Sequence, residues 1–110
     1  MSRDIIVPLD GSHQADAAIP HAAELARLTK GNVHLVRVHV PVLAYAAAES
    51  PIAIPDPAWD ERVREAAQNW IVRQAADVRA RVGLPVTFEL RIGSPAEQVT
   101  EAARERNALA

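Results

Sequence analysis

The chain has 110 residues, of which 49% are hydrophobic and 24% charged, a balance that fits one globular domain and excludes a disordered chain. Its 12 basic and 14 acidic residues give a formal net charge of −2, and aromatics make up only 4%, so neither the basic face nor the stacking platform of a nucleic-acid binder is present. Cysteine is absent, which removes disulfides, thiol nucleophiles and cysteine-ligated metals. No signal-peptide or membrane-span pattern follows Met1, so the expectation is a soluble cytoplasmic protein with no membrane partner.

Ile5-Ile6-Val7 is a β-branched run of the kind buried on both faces of a sheet, and Asp10-Gly11-Ser12 stops it. Ser12 is a helix N-cap candidate. From His13 to Lys30, Ile19, Ala22, Leu25, Ala26 and Leu28 recur at helical spacing. Pro20 should bend this helix or shift its effective start, and Gly31 is expected to end it in a left-handed conformation. A second strand is expected over 33–40. Residues 41–57 carry Pro41, Pro51, Pro55 and Pro57 and read as an irregular loop.

Asp56-Pro57 looks like an N-cap followed by proline at the first helical position. The long helix that follows places Val63, Ala67, Trp70, Ile71, Ala75, Val78 and Val82 on one stripe. Arg62, Glu65, Arg73, Asp77 and Arg81 form its solvated face, and Gly83 and Pro85 close it. Val86 to Ile92 alternates apolar and polar, the pattern of a half-exposed edge strand. Ser94-Pro95-Ala96-Glu97 has the spacing of a capping box. Its helix runs through Val99, Ala102 and Ala103 to about Arg106, with Asn107 as a cap, and Ala108-Leu109-Ala110 then begins a new apolar stretch. Three strands separated by helical crossovers predict an open α/β sheet of parallel strands.

In such a sheet ligands bind beyond the carboxyl ends of the strands, where Asp10 stands. Its carboxylate could receive a ribose or amine, but the plainer reading is an Asx turn bonded to its own downstream backbone. Gly11, Gly31, Gly83 and Gly93 are too dispersed for any glycine-rich phosphate motif. His34 and His39 have opposite strand parity, and His13 and His21 are two helical turns apart, so no pair shares a metal; each is expected at a surface or helix start. Ser12 and His13 are adjacent, poor geometry for a nucleophile and its base. Trp70 is expected in the core, while Trp59 remains open between packing and ligand contact.

The stretch Ile5-Ile6-Val7-Pro8-Leu9-Asp10-Gly11-Ser12 resembles the opening strand and turn of the universal stress protein family. The second strand, His34 to Val40, is similar to that family's second strand. Ile92-Gly93-Ser94-Pro95-Ala96-Glu97-Gln98-Val99 resembles the turn and helix after its third. This resemblance implies a Rossmann-like α/β fold, an open parallel sheet of order 3-2-1-4-5 and usually dimeric. ATP would lie at the carboxyl ends of strands 1 and 4. Pro8, Leu9 and Asp10 would line the adenosine pocket, and Val38 would offer backbone groups to the adenine edge.

The family's glycine-rich phosphate element, after its fourth strand, has no counterpart here. The expectation is therefore a single domain over 1–110 that holds three strands and three helices, short of the family's last two strands and last helix. ATP affinity should be weak or absent. With strand 1 left bare, self-association through Ile5, Ile6 and Val7 is expected, giving a homo-oligomer. Two functions remain: an adenine-nucleotide-binding stress module without turnover, or a non-nucleotide dimerisation module of the same family. An enzyme is disfavoured, because no base or metal cluster is visible. A receiver domain fails, because Gly93-Ser94-Pro95 stands where its acceptor aspartate belongs.

Overall fold

A computed structural model describes residues 3–41, 57–108 and 110. The elements are β1 (Asp4–Pro8), α1 (His13–Asp16), α2 (Ala18–Thr29), β2 (Asn32–His39), α3 (Pro57–Val82), β3 (Val86–Ile92) and α4 (Pro95–Glu105). All strands are parallel, in the order β1-β2-β3. The expected alternation of strand and helix is borne out, and so is the edge position of β3. Of the proline-rich segment 41–57, residues 42–56, the Asp56 cap among them, lie outside the described residues, while Pro57 opens α3 as expected.

Register and parity divide the sheet into two unlike faces. Ile5 lies opposite Val33, and Val7 opposite Leu35, which in turn faces Phe88. These side chains project to one side, where Ile19, Ala22 and Ala26 of α2 and Ile71, Ala75 and Val78 of α3 complete the core. The long stripe of α3 is thus largely as the sequence predicts, although Val63 at its start is exposed. On the other face, His34 lies level with Thr87, and Val36 with Glu89. The sole described helix on this side is α4, whose Ala102 is buried.

The first helix divides at Ala17, as Pro20 dictates. Proline has no N–H to give the carbonyl of Asp16, so the ladder fails where α1 ends. Ser12 caps α1, its hydroxyl accepting from the Ala15 N–H at 3.1 Å. Two other terminal expectations are corrected. The left-handed residue ending α2 is Lys30, at φ 54°, and not Gly31. Gly31 is required for a different reason: a Cβ there would sit 2.1 Å from the Arg3 carbonyl oxygen, where the chain enters β2 beside β1. Ser94 occupies the N-cap of α4 but makes no side-chain capping bond, so the capping box does not form. Asn107, at φ 50°, ends α4 in the left-handed conformation, and the Ala108 N–H reaches back to the Ala103 carbonyl at 2.9 Å.

The bare edge expected for β1 is also corrected. The Ile6 N–H donates to the Ala110 carbonyl at 2.8 Å, and the Ala110 N–H points to the Asp4 carbonyl at 3.4 Å, a parallel pairing opposite Ile5. Pro8 has no donor to add to that edge. Ile5 and Val7 turn their side chains into the core and are 4% and 2% exposed. Side-chain contact to a second copy through this pair is therefore not available.

Candidate functional site

The ends of β1 and β2 build a small rim. Beyond Pro8 the chain makes one more sheet bond, from the Leu9 N–H to the Val36 carbonyl at 2.8 Å, and then turns at Asp10. An Asp10 carboxylate oxygen accepts from the Ser12 N–H at 2.8 Å, the Asx turn foreseen from the sequence. Hydrogen bonding from Ser12 holds the exposed Asp10 carboxyl below its usual range, so it is anionic at neutral pH.

The consecutive residues Pro8, Leu9 and Asp10 and the distant Val38 line one hollow of about 190 Å³, together with Val36 of β2 and Pro95 and Val99 of α4. Backbone alternation sets the polar groups of this hollow. The Val36 carbonyl bonds toward β1 and the His39 carbonyl toward Gly93 on the β3 side. The N–H and C=O of Val38 therefore point to the β1 side, past the level at which β1 has ended. The result is an apolar slot with a backbone donor and acceptor on one wall and a carboxylate at its mouth. That suits a flat heterocycle carrying a polar edge, and the volume lies below the usual range for a whole drug-sized ligand.

A second hollow, of about 680 Å³, adjoins the first across Asp10 and Val38 and opens toward α3. Arg37, His39, Trp70 and Arg73 stand along it. The Arg37 guanidinium lies 4.5 Å from the centre of the Trp70 ring. Trp70 is thus half-buried and packed on the core, as expected, but it also presents a face to an arginine. Trp59 is exposed.

The two strand histidines depart from expectation. They do face opposite sides, yet both are buried, His34 at 1% and His39 at 5% exposure. His39 Nε2 meets an Asp60 carboxylate oxygen at 2.9 Å and ties the start of α3 to the sheet. His34 lies between Thr87 Oγ1 and Glu89 Oε2, each at 2.6 Å. Burial pushes the His34 pKa down, against the pull of Glu89, and keeps the ring neutral. Burial pushes Glu89 up, but hydrogen bonds from His34 and Arg91 outweigh it and leave its carboxyl low. Arg91 extends the chain of bonds to Glu105 at 2.9 Å and to Gln98 at 2.9 Å, fastening α4 over the sheet. The signal for this bolt was present in the alternating polar positions Thr87, Glu89 and Arg91, but it needed the register against His34 to be read.

Among the described residues, no group of three His, Cys, Asp or Glu side chains stands close enough to hold a metal ion, and no helix is long and apolar enough to cross a membrane. The model of the universal stress protein family matches residues 1–109. The chain belongs to the universal stress protein family. Solved structures agree in fold. A universal stress protein family member from Burkholderia pseudomallei superposes with a TM-score of 0.71 at 25% identity, covering 96% of this chain and 75% of that one. UspA of Lactobacillus plantarum gives 0.66 at 21% identity, covering 96% and 70%. A hypothetical protein solved as a structural-genomics test case of function assignment gives 0.70 at 18% identity, covering 97% and 70%. The last two identities speak to the fold alone. No curated protein sequence matches the chain. The three described strands and their helices fit the Rossmann-like universal stress protein fold, with β1 and β2 ending at the candidate site.

Proposed function

We propose that this universal stress protein module binds an adenine nucleotide, such as ATP, at the rim of β1 and β2, as a sensor rather than a catalyst. The observation that carries the reading is the convergence of Pro8, Leu9, Asp10 and Val38 on one hollow. The apolar walls from Pro8, Leu9, Val36 and Val99 suit the faces of a purine. The backbone N–H and C=O of Val38 match the acceptor and donor along its edge, and the Asp10 carboxylate suits a ribose hydroxyl. Because the hollow is only base-sized, affinity should be weak, with a Kd on the order of 1 mM.

The test is calorimetric titration of ATP into the wild-type chain and into Asp10→Ala and Val99→Phe. The first variant removes the ribose contact; the second fills the slot from the α4 side. Loss of one charged hydrogen bond should weaken binding by about tenfold for Asp10→Ala, and Val99→Phe should abolish it. ATP binding undiminished in both variants would move the ligand elsewhere. No heat with the wild-type chain would favour the dimerisation module, to be checked by light scattering.

A further inference from the structure

The outer edge of β3 has no part in the adenine reading, since the described lining of that slot includes no β3 residue. Among the described residues β3 ends the sheet, and the direction of its backbone groups can be read from its two ends. The Pro85 carbonyl accepts from the Val33 N–H, and the Gly93 N–H donates to the His39 carbonyl, so odd-numbered residues turn their backbone groups to β2. Phe88, Leu90 and Ile92 therefore direct theirs away from the sheet. The Arg79 side chain covers the Val86 carbonyl at 2.7 Å, and beyond it no described strand pairs with this edge. Such an edge is a template for another strand.

The order of residues along this edge is complementary to itself. A second copy, antiparallel about a two-fold axis at Leu90, sets Leu90 opposite its own counterpart. Phe88 then faces the second copy's Ile92, and Glu89 faces the second copy's Arg91. Phe88, Leu90 and Ile92 are the residues with outward N–H and C=O groups, so these groups meet across the seam. On the α3 face the seam is apolar. On the α4 face acid meets base, at the positions between the hydrogen-bonded pairs where side chains lie closest. Shifting the seam by two residues in either direction opposes Glu89 to Glu89 or Arg91 to Arg91, so the charges also fix the register.

Helix α3 supplies an independent observation. Val72 is 45% exposed and stands two turns before Arg79, on the side of α3 that reaches over the β3 edge. Two turns are about 10 Å, or about three residues of strand, and α3 runs against β3, so Val72 stands near the level of Leu90. The same axis thus brings Val72 to its counterpart. Ile92 is also open, at 49% exposure. We propose that the β3 edge docks a second copy of this chain, paired antiparallel about Leu90 and closed over by Val72 of each α3.

The full chain is sedimented at rising concentration as wild type, Ile92→Lys, Val72→Lys and Val72→Glu. The wild type should form a dimer. Ile92→Lys enters the seam twice and should weaken the dimer by about a hundredfold, through apolar burial lost at both places. Val72→Lys and Val72→Glu should each weaken it by about tenfold or more, because like charges then face each other at the axis, and an equimolar mixture of the two should recover it. Both positions are exposed, so the fold of each copy should hold, which circular dichroism checks. A wild type that stays monomeric at about 1 mM, a concentration at which even weak specific pairs form, overturns the proposal. A dimer untouched by Ile92→Lys lies on another surface and overturns it equally. A mixture no tighter than either Val72 variant alone overturns the axis at Leu90. The adenine reading is tested separately, by its own titration, and stands or falls independently of these results.

Discussion

On one side of the sheet, Ile5, Val7, Val33 and Leu35 pack against Ile19, Ile71 and Val78; on the other, His34 lies bonded between Thr87 and Glu89 under a helix held by Arg91. The first side is held by area removed from water, which is non-directional and tolerates some change of shape. The second is held by directional bonds, each of which leaves a partner unsatisfied when lost. Helix α4 buries only Ala102, so its attachment depends on Arg91 far more than α3 depends on any one polar group. The smaller hollow lies on the α4 side, with Pro95 and Val99 forming one wall. Its geometry is therefore governed by the less robust of the two faces.

The largest effect that would sharpen this contrast is Ile71→Ala. Ile71 is fully buried at the centre of the apolar face, and its truncation should cost about 2–5 kcal/mol in urea unfolding. A cost below about 1 kcal/mol would mean that this face is not the main core. Next comes Arg91→Ala, which should cost about 1–3 kcal/mol and act locally. Amide exchange at Ala102 and Ala103 of α4 should accelerate while that at Ile71 and Ala75 holds. Uniform acceleration of both helices would break the distinction between the faces.

The pH dependence separates the faces as well. The folded pKa of His34 lies below its unfolded value of 6.5, so the unfolded chain takes up the proton first. The stability contributed by neutral His34 is full above about pH 6.5 and is lost as pH falls through the lower folded value. Glu89 is also depressed below its unfolded 4.5, so a second loss follows under that pH. His34→Gln should flatten the first loss and leave the second; an unaltered profile would deny His34 this role. The smallest effects concern two serines. Ser12→Ala should cost about 1 kcal/mol, because its hydroxyl caps α1. Ser94→Ala should stay within about 0.5 kcal/mol, because its hydroxyl caps nothing. Equal costs in thermal unfolding would contradict the assigned caps.

How much could be read in advance follows the same division. The apolar face was legible, because Ile5, Val7, Leu35 and the stripe from Ala67 to Val78 declare themselves by periodicity. So were the Asx turn at Asp10, the cap at Ser12 and the break caused by Pro20, which depend on residues close in sequence. The polar face was not. His34 finds Thr87 and Glu89 only through parallel register across more than fifty residues, and nothing local marks it as buried. The sequence reads Gly31 as a helix stop because left-handed glycines are common there; the actual constraint is the Arg3 carbonyl just ahead of β1. The four slot residues came from family resemblance, whereas Arg37 and Trp70 meet only once α3 is folded onto β2.

The most direct measurement is the amide spectrum of the chain as adenosine is added. Adenine binding at the rim predicts the largest shifts at Leu9, Asp10 and Val38, with Val99 following and the amides of Ile71 and Ala75 quiet. Shifts confined to other surfaces, or none at saturating adenosine, would contradict it.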